Sequence, residues 1–315
     1  MSITRSQAFA ERKKAKQLVN ANITNNKETI RVKRVVFCVF LENPSNILKE
    51  QQMKIISLVE NTTKKDFKTA HGLSLYIETG LHKILFDVGP DETLFENTEK
   101  LKVNLEDVDT VIISHGHYDH GGALEKFLKV NSKAKIWAQK DAFYKKHFSG
   151  NREKDIGLKE ELAESPRFML LEGGVRIDDE LEIFTINDSS KCHSEANDCL
   201  YEEDKQDKFN HEQYLLIHGE RPVLVLGCGH KGIVNIMDAA QKYKPAYCVG
   251  GYHLFNPNTN VTIPDNVLEE IAQNMKGIEG IQYYTCHCTG TKAYAYLKER
   301  LDNINYLACG DELMI

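Results

Sequence analysis

No apolar run in this chain approaches the ~20 residues that a helix needs to cross a bilayer. The longest compact one, from Val35 to Leu41, is the length of a strand, so no membrane partner is expected. Cysteine is sparse, with eight residues in 315, well short of a disulfide-stapled secreted domain. No secretory signal opens the sequence, and reduced thiols in a cytoplasmic protein are expected. Positive charge is in deficit: 40 Lys and Arg face 46 Asp and Glu, a net charge of −6. That balance argues against a nucleic-acid partner, whose binder would be basic. The spelling G-x-x-x-x-G-K-[ST] is missing, as is the G-x-S-x-G elbow. A phosphate-cradling glycine loop and a serine nucleophile are therefore not expected.

An apolar content of 41% is enough for a substantial core. Charge is unevenly spread. Residues 1–34 hold nine Lys and Arg and two Glu, a net +7, which leaves −13 on the rest. That opening is polar and reads as a solvated tail or a frayed helix.

From Met53 the pattern becomes regular. Lys54 to Val59, Leu73 to Glu78 and Lys83 to Val88 read as neighbouring strands, the second with clear period-two alternation. Asp91 to Leu101 reads as a helix capped by Asp91, Thr110 to Ser114 as a buried strand, and Gly122 to Val130 as a helix. A short strand follows at Lys135, then a charged helical stretch from Asp141 to about Leu162. A second run of strands starts near Phe168, with helices at 233–243, 266–275 and 291–301, and ends at Ile304 to Ala308. Residues 188–210 read as a long polar loop. Two similar runs of strands and helices imply an α/β fold. The expected architecture is an αββα sandwich of two mixed sheets with helices on both outer faces.

The densest chemical signal is Ser114-His115-Gly116-His117-Tyr118-Asp119-His120-Gly121-Gly122. Three histidines and an aspartate fall within six residues, directly after an apolar strand. Imidazole and carboxylate together suit zinc, iron or manganese. Side chains two apart on an extended segment share a face, so His115 and His117 can grip one ion. Asp119 and His120 can reach a second. Further ligand-type residues follow strand ends: Cys228 and His230 after Val223 to Leu226, His253 after Ala246 to Val249, and His287 between Cys286 and Cys288. His211 precedes the strand at Gln213 and competes with His230 as third ligand of the first ion. Cys286 and Cys288 lack a second cysteine pair and read as buried thiols. His71, His82, His147, His193 and His218 lack supporting context and read as surface or supporting residues.

His115-Gly116-His117-Tyr118-Asp119-His120 resembles the H-x-H-x-D-H signature of the metallo-β-lactamase superfamily, and Asp87 is placed like its upstream structural aspartate. Val59 to Thr62, His71 to Ser74, Gly227 to Asn235, Gly250 to Leu254 and Cys286 to Gly290 resemble one branch more narrowly. That branch comprises the dihydropterin ribofuranosylaminobenzene phosphate synthase-like proteins, often called metal-dependent hydrolases. The resemblance implies an αββα sandwich with metals at one edge. It also implies a basic, partly disordered extension at 1–52 before a catalytic domain at 53–315. The superfamily's bridging aspartate is replaced by Cys228, so no bridging carboxylate carries over, and Cys228 is itself a candidate soft ligand.

The expected function is metal-dependent hydrolysis of an ester-, phosphoester- or amide-type small molecule. One or two divalent ions are expected, zinc first, with iron and manganese as alternatives. The metal residues are His115, His117, Asp119, His120, His230 and His287, and the catalytic residues are Asp119 and His253. Alternatives are condensation of a pterin diphosphate with an arylamine, and a di-iron redox protein. A homo-oligomer is compatible with the sequence.

Overall fold

In a computed structural model, residues 52–150 and 152–315 are described, and the expected extension at 1–52 lies outside them except for its last residue. Two seven-stranded mixed sheets form the body. The first runs, edge to edge, Glu312–Met314, Lys54–Val59, Ser74–Glu78, Lys83–Phe86, Thr110–Ile112, Lys135–Gln139 and Phe168–Leu171. The second runs Ile304–Tyr306, Gln282–Thr285, Tyr247–Gly250, Val223–Val225, Tyr214–Ile217, Leu181–Phe184 and Val175–Arg176. In each, one half is parallel and the other antiparallel.

Strand periodicity shows why the sheets stack. In Ser74–Glu78, Leu75 and Ile77 face the second sheet, while Tyr76 faces the helical layer. In Tyr214–Ile217, Leu215 and Ile217 face the first sheet, while Tyr214 and Leu216 face helices. Both faces of Tyr214–Ile217 are buried, hence its continuous apolar spelling. Helices Thr93–Leu101 and Leu124–Val130 cover the first sheet, and Ile233–Ala240, Asp265–Lys276 and Thr291–Lys298 cover the second. The result is the expected αββα sandwich. Among the described residues no helix is long and apolar enough to cross a membrane.

Local expectations hold along most of the chain. Asp91 does use its carboxylate at the start of the first helix, accepting from Thr93 N–H at 2.9 Å, although the helix begins at Thr93. Three differences have tertiary causes. Phe168–Leu171 joins the first sheet, pairing with Lys135–Gln139, so the second run begins after it. The terminal strand Glu312–Met314 crosses back to pair with Lys54–Val59. The charged stretch after Asp141 is helical only over Asp141–Tyr144. It then forms a hairpin of His147–Ser149 with Lys154–Asp155, turning at Gly150, whose φ is +61°. His147–Ser149 also pairs with Tyr201–Glu202, inside the segment expected to be loop. Two excursions that look unrelated in sequence thus stabilise each other, overriding helix propensity. They share a small core of Ile156, Leu200 and Phe209.

Candidate metal centre

The parallel strands of both sheets deliver their following loops to one edge of the sandwich. From the first sheet come Asp87 and the segment Ser114 to His120. From the second come Cys228 and His230, His253, and His287. His115 is fully buried, and His117, His120, His230 and His287 are at most 4% exposed. Asp119 is 8% exposed.

Buried carboxylates hold each loop in place. Asp87 accepts from Ser114 N–H at 2.7 Å, from Ser114 Oγ–H at 2.7 Å and from His120 Nδ1–H at 2.6 Å. Glu212 accepts from the backbone N–H of His230 at 2.7 Å and of Lys231 at 3.0 Å. Glu60, at the end of Lys54–Val59, accepts from His287 N–H and from Tyr306 O–H, both at 2.7 Å. Each carboxyl group gathers donors from two or more separate groups, which pins these loops to one another.

The same network assigns tautomers. Ser114 Oγ donates to Asp87, so the 2.8 Å contact with His115 requires His115 Nδ1–H to donate. His230 Nδ1–H donates to Asn197 Oδ1 at 2.9 Å. Both Nε2 atoms are then lone-pair donors, yet they face each other at 3.3 Å. Burial, then neighbouring imidazoles, hold both groups well below the usual histidine range, so no proton relieves the repulsion. A cation does. Two nitrogens each ~2.0–2.1 Å from a tetrahedral zinc stand roughly 3.3 Å apart.

A second pair of imidazoles stands equally close. His120 Nε2 and His287 Nε2 are 3.3 Å apart, with Asp119 Oδ2 at 3.6 Å and 3.3 Å respectively. His287 Nδ1–H donates to Asn61 Oδ1 at 2.8 Å. Burial opposes charge on His120, but Asp87 and Asp119 outweigh it and raise its pKa to about 9. A proton on His120 Nε2 can therefore bridge to His287 Nε2. Burial likewise opposes charge on Asp119, yet the surrounding histidines keep it ionised, well below the usual carboxylate range. The residues present fit a metal pair on donor chemistry and on geometry.

His117 stands beside the first pair, its ring 4.5 Å from His115 and 5.1 Å from His230, and its Nε2 is buried with no partner. One of its nitrogens also groups with His147, Asp207 and His211 within 4.8 Å. His211 has both nitrogens engaged, accepting from Gly116 N–H at 2.9 Å and donating to Asp207 at 3.0 Å. It is His230, not His211, that faces His115. His147, read from sequence as a surface or supporting residue, is fully buried against Asp207. Asp207 was missed because nothing in a polar loop announces it. Glu60 and Glu212 had a weak signal, each adjoining a strand.

A cavity of about 320 Å³ opens over the centre, with His117, Asp119, Cys228, His230 and His287 in its lining. Lys154 and Tyr118 form part of its wall, and so do Cys199, Leu200 and Asn258. His71 also reaches it, 3.5 Å from Asp119, and burial lowers its pKa to about 4. His253 lines it with both ring nitrogens buried and unpartnered, 4.1 Å ring to ring from His230. Its φ of +46° is unusual for a non-glycine residue. Such conformations persist where the surroundings impose them.

Gly227-Cys228-Gly229-His230-Lys231-Gly232 spells G-x-G-x-x-G between the strand Val223–Val225 and the helix Ile233–Ala240, a spelling the sequence reading overlooked. It does not leave room for a phosphate. Asn235 holds the backbone of Lys191 over the helix start, accepting from Lys191 N–H at 3.1 Å and donating to its carbonyl at 3.0 Å. The glycines answer packing instead: a Cβ on Gly227 would land on Ser114 Oγ.

Comparison with known proteins agrees with this geometry. Residues 69–187 match the family model of the metallo-β-lactamase superfamily. An uncharacterized protein of Methanocaldococcus jannaschii is 31% identical over 257 residues, spanning 79% of this chain and 95% of the relative. A second protein of that organism, named 7,8-dihydropterin-6-methyl-4-(β-D-ribofuranosyl)-aminobenzene-5'-phosphate synthase, is 30% identical over 280 residues, spanning 79% of this chain and 91% of the relative. A crystal structure described as a metal-dependent hydrolase of the β-lactamase superfamily superposes with a TM-score of 0.70 at 27% identity, covering 84% of this chain and 99% of the other. The histidine loops, the two-sheet frame and these likenesses together place the chain in the metallo-β-lactamase superfamily, in the branch of the dihydropterin ribofuranosylaminobenzene phosphate synthase-like proteins.

Proposed function

We propose that the protein is a metal-dependent hydrolase of a small ester-, phosphoester- or amide-type substrate. The observation that carries the reading is the two pairs of Nε2 atoms, each 3.3 Å apart, beneath a cavity of about 320 Å³. His115, His230 and the adjacent His117 would hold one ion. His120, His287 and Asp119 would hold the second. Divalent ions there supply an acidified water, its pKa lowered from ~15.7 toward ~7, and a Lewis acid for the attacked carbonyl or phosphoryl oxygen. Zinc suits the imidazole-rich donor set.

The chain's own residues do the rest. Asp119, ionised and on the cavity wall, orients the attacking water and accepts its proton. His253 presents two free ring nitrogens to the substrate and donates to the leaving group. The small sheet carrying Ser149, Lys154 and Tyr201 roofs the cavity and limits bulk water. A second reading is supported by the relative named as a synthase: displacement of diphosphate from a pterin by an arylamine.

One experiment separates them. The purified chain is analysed for metals and assayed on phosphodiesters, lactones, thioesters and a pterin diphosphate, with and without an arylamine. Hydrolysis without the amine, lost in His253→Ala with metal retained, supports the hydrolase. Diphosphate release that requires the amine replaces it with the synthase. Fewer than one metal per chain, unchanged in His115→Ala, overturns both.

A further inference from the structure

We propose that Cys228 is a thiolate bridge shared by both ions, standing where a carboxylate would otherwise link them. This rests on the metal-centre reading above. The Cys228 Sγ groups with His115 and His230, and also with His120 and His287, the potential ligand atoms of each set lying within 4.8 Å of one another. It is 3.2 Å from His120 Nε2, and the residue is only 2% exposed. The backbone holds it between the two imidazole pairs. Gly227 before it tolerates no side chain against Ser114, and Gly229 after it has φ +64° with Gly251 O at 2.9 Å from any Cβ.

Charge makes the same demand. Two divalent ions close together repel, and histidines contribute no negative charge. Asp119 reaches only the second pair. Asp87, Glu60 and Glu212 already accept from backbone and side-chain donors that fix the loops. Among the described residues, Cys228 is the one acidic group placed next to both positions. The neighbouring Cys288 groups with Cys228 and His253 but with neither imidazole pair, its thiol donating to Cys228 O at 3.5 Å and accepting from His253 N–H at 3.3 Å. On loading, Cys228 S–H releases its proton to solvent and its sulfur lone pairs bind both ions. A thiolate also sets selectivity: zinc and cobalt(II) are retained, while magnesium and manganese, which prefer oxygen, are not.

The test loads the full chain with cobalt(II). A bridge gives two cobalt ions per chain, a sulfur-to-cobalt charge-transfer band, and one sulfur per cobalt by X-ray absorption. A terminal thiolate gives half a sulfur per cobalt and overturns the proposal. The near-isosteric Cys228→Ser abolishes the band and lowers retention on dialysis from two cobalt ions to one, while Cys288→Ser keeps both. A band that survives Cys228→Ser also overturns it. Two bound ions without any sulfur band refute the bridge and leave the metal centre standing. A chain that takes up no cobalt sinks both.

Discussion

Asp87→Asn tests the logic of the centre without touching a proposed ligand. Asp87 Oδ1 accepts from the fixed donor Ser114 N–H at 2.7 Å, and Oδ2 accepts from His120 Nδ1–H at 2.6 Å. In the asparagine, the carbonyl oxygen stays on Ser114 N–H, and the amide NH₂ then faces His120 Nδ1–H. Two donors meet in a buried site. His120 escapes only by moving its proton to Nε2, the atom that faces His287, and so loses the lone pair intended for the ion. Changing the partner of a metal-ligating histidine costs ~10–100-fold in metal affinity, or ~1.4–2.8 kcal/mol. The metal-stripped protein loses a charge-assisted hydrogen bond as well, about 1.5–3 kcal/mol. Zinc competition against a chromophoric chelator reads the first quantity, and urea unfolding after chelation reads the second. The expected result is both positions weakened, the one at His120 most, because Ser114 Oγ–H loses the same acceptor oxygen and with it the contact that fixes the His115 tautomer. A folded Asp87→Asn protein that holds two ions with wild-type affinity refutes the tautomer argument.

Other outcomes follow from elsewhere in the fold. His82 lies between Asp109 at 3.0 Å and Asp178 at 2.7 Å, and the hydrogen bond to Asp109 leads in raising its pKa to about 9. A raised folded pKa stabilises below the unfolded value of ~6.5 and is lost as pH climbs through about 9. Unfolding free energy should therefore fall by ~1–2 kcal/mol between pH 6.5 and 9.5, after allowance for solvent screening, and His82→Gln should flatten that slope. Gly227→Ala drives a methyl into Ser114 Oγ beside Asp87, and both thermal stability and metal content should drop together. Leu215→Ala opens a cavity between the sheets, and urea unfolding should show a loss of ~2–5 kcal/mol with metal stoichiometry intact.

Much of this was legible because local rules agreed with the final packing. Period-two alternation in 73–78 and the apolar run at 214–217 survive as strands because both faces are covered. The spacing of His115, His117, Asp119 and His120 marks a candidate metal site since few other purposes need those residues after a buried strand. Less was legible where partners are distant. The helical reading of 141–162 failed because His147–Ser149 pairs with Tyr201–Glu202, more than fifty residues away. His147 lacked context in sequence because its context is Asp207, from that same distant excursion.

The amino-acid order by itself determined the two-run α/β pattern, the strand that ends in the histidine cluster, and the ligand-type residues after later strands. These depend on side-chain period and residue chemistry, which are local. Only the tertiary structure decided that His230 and not His211 faces His115, that Glu60, Asp87 and Glu212 hold the loops, and that Cys228 stands between two imidazole pairs. Those outcomes turn on differences of an ångström or two between loops from different sheets. Such distances are set by how two packed sheets align, which no local spacing encodes.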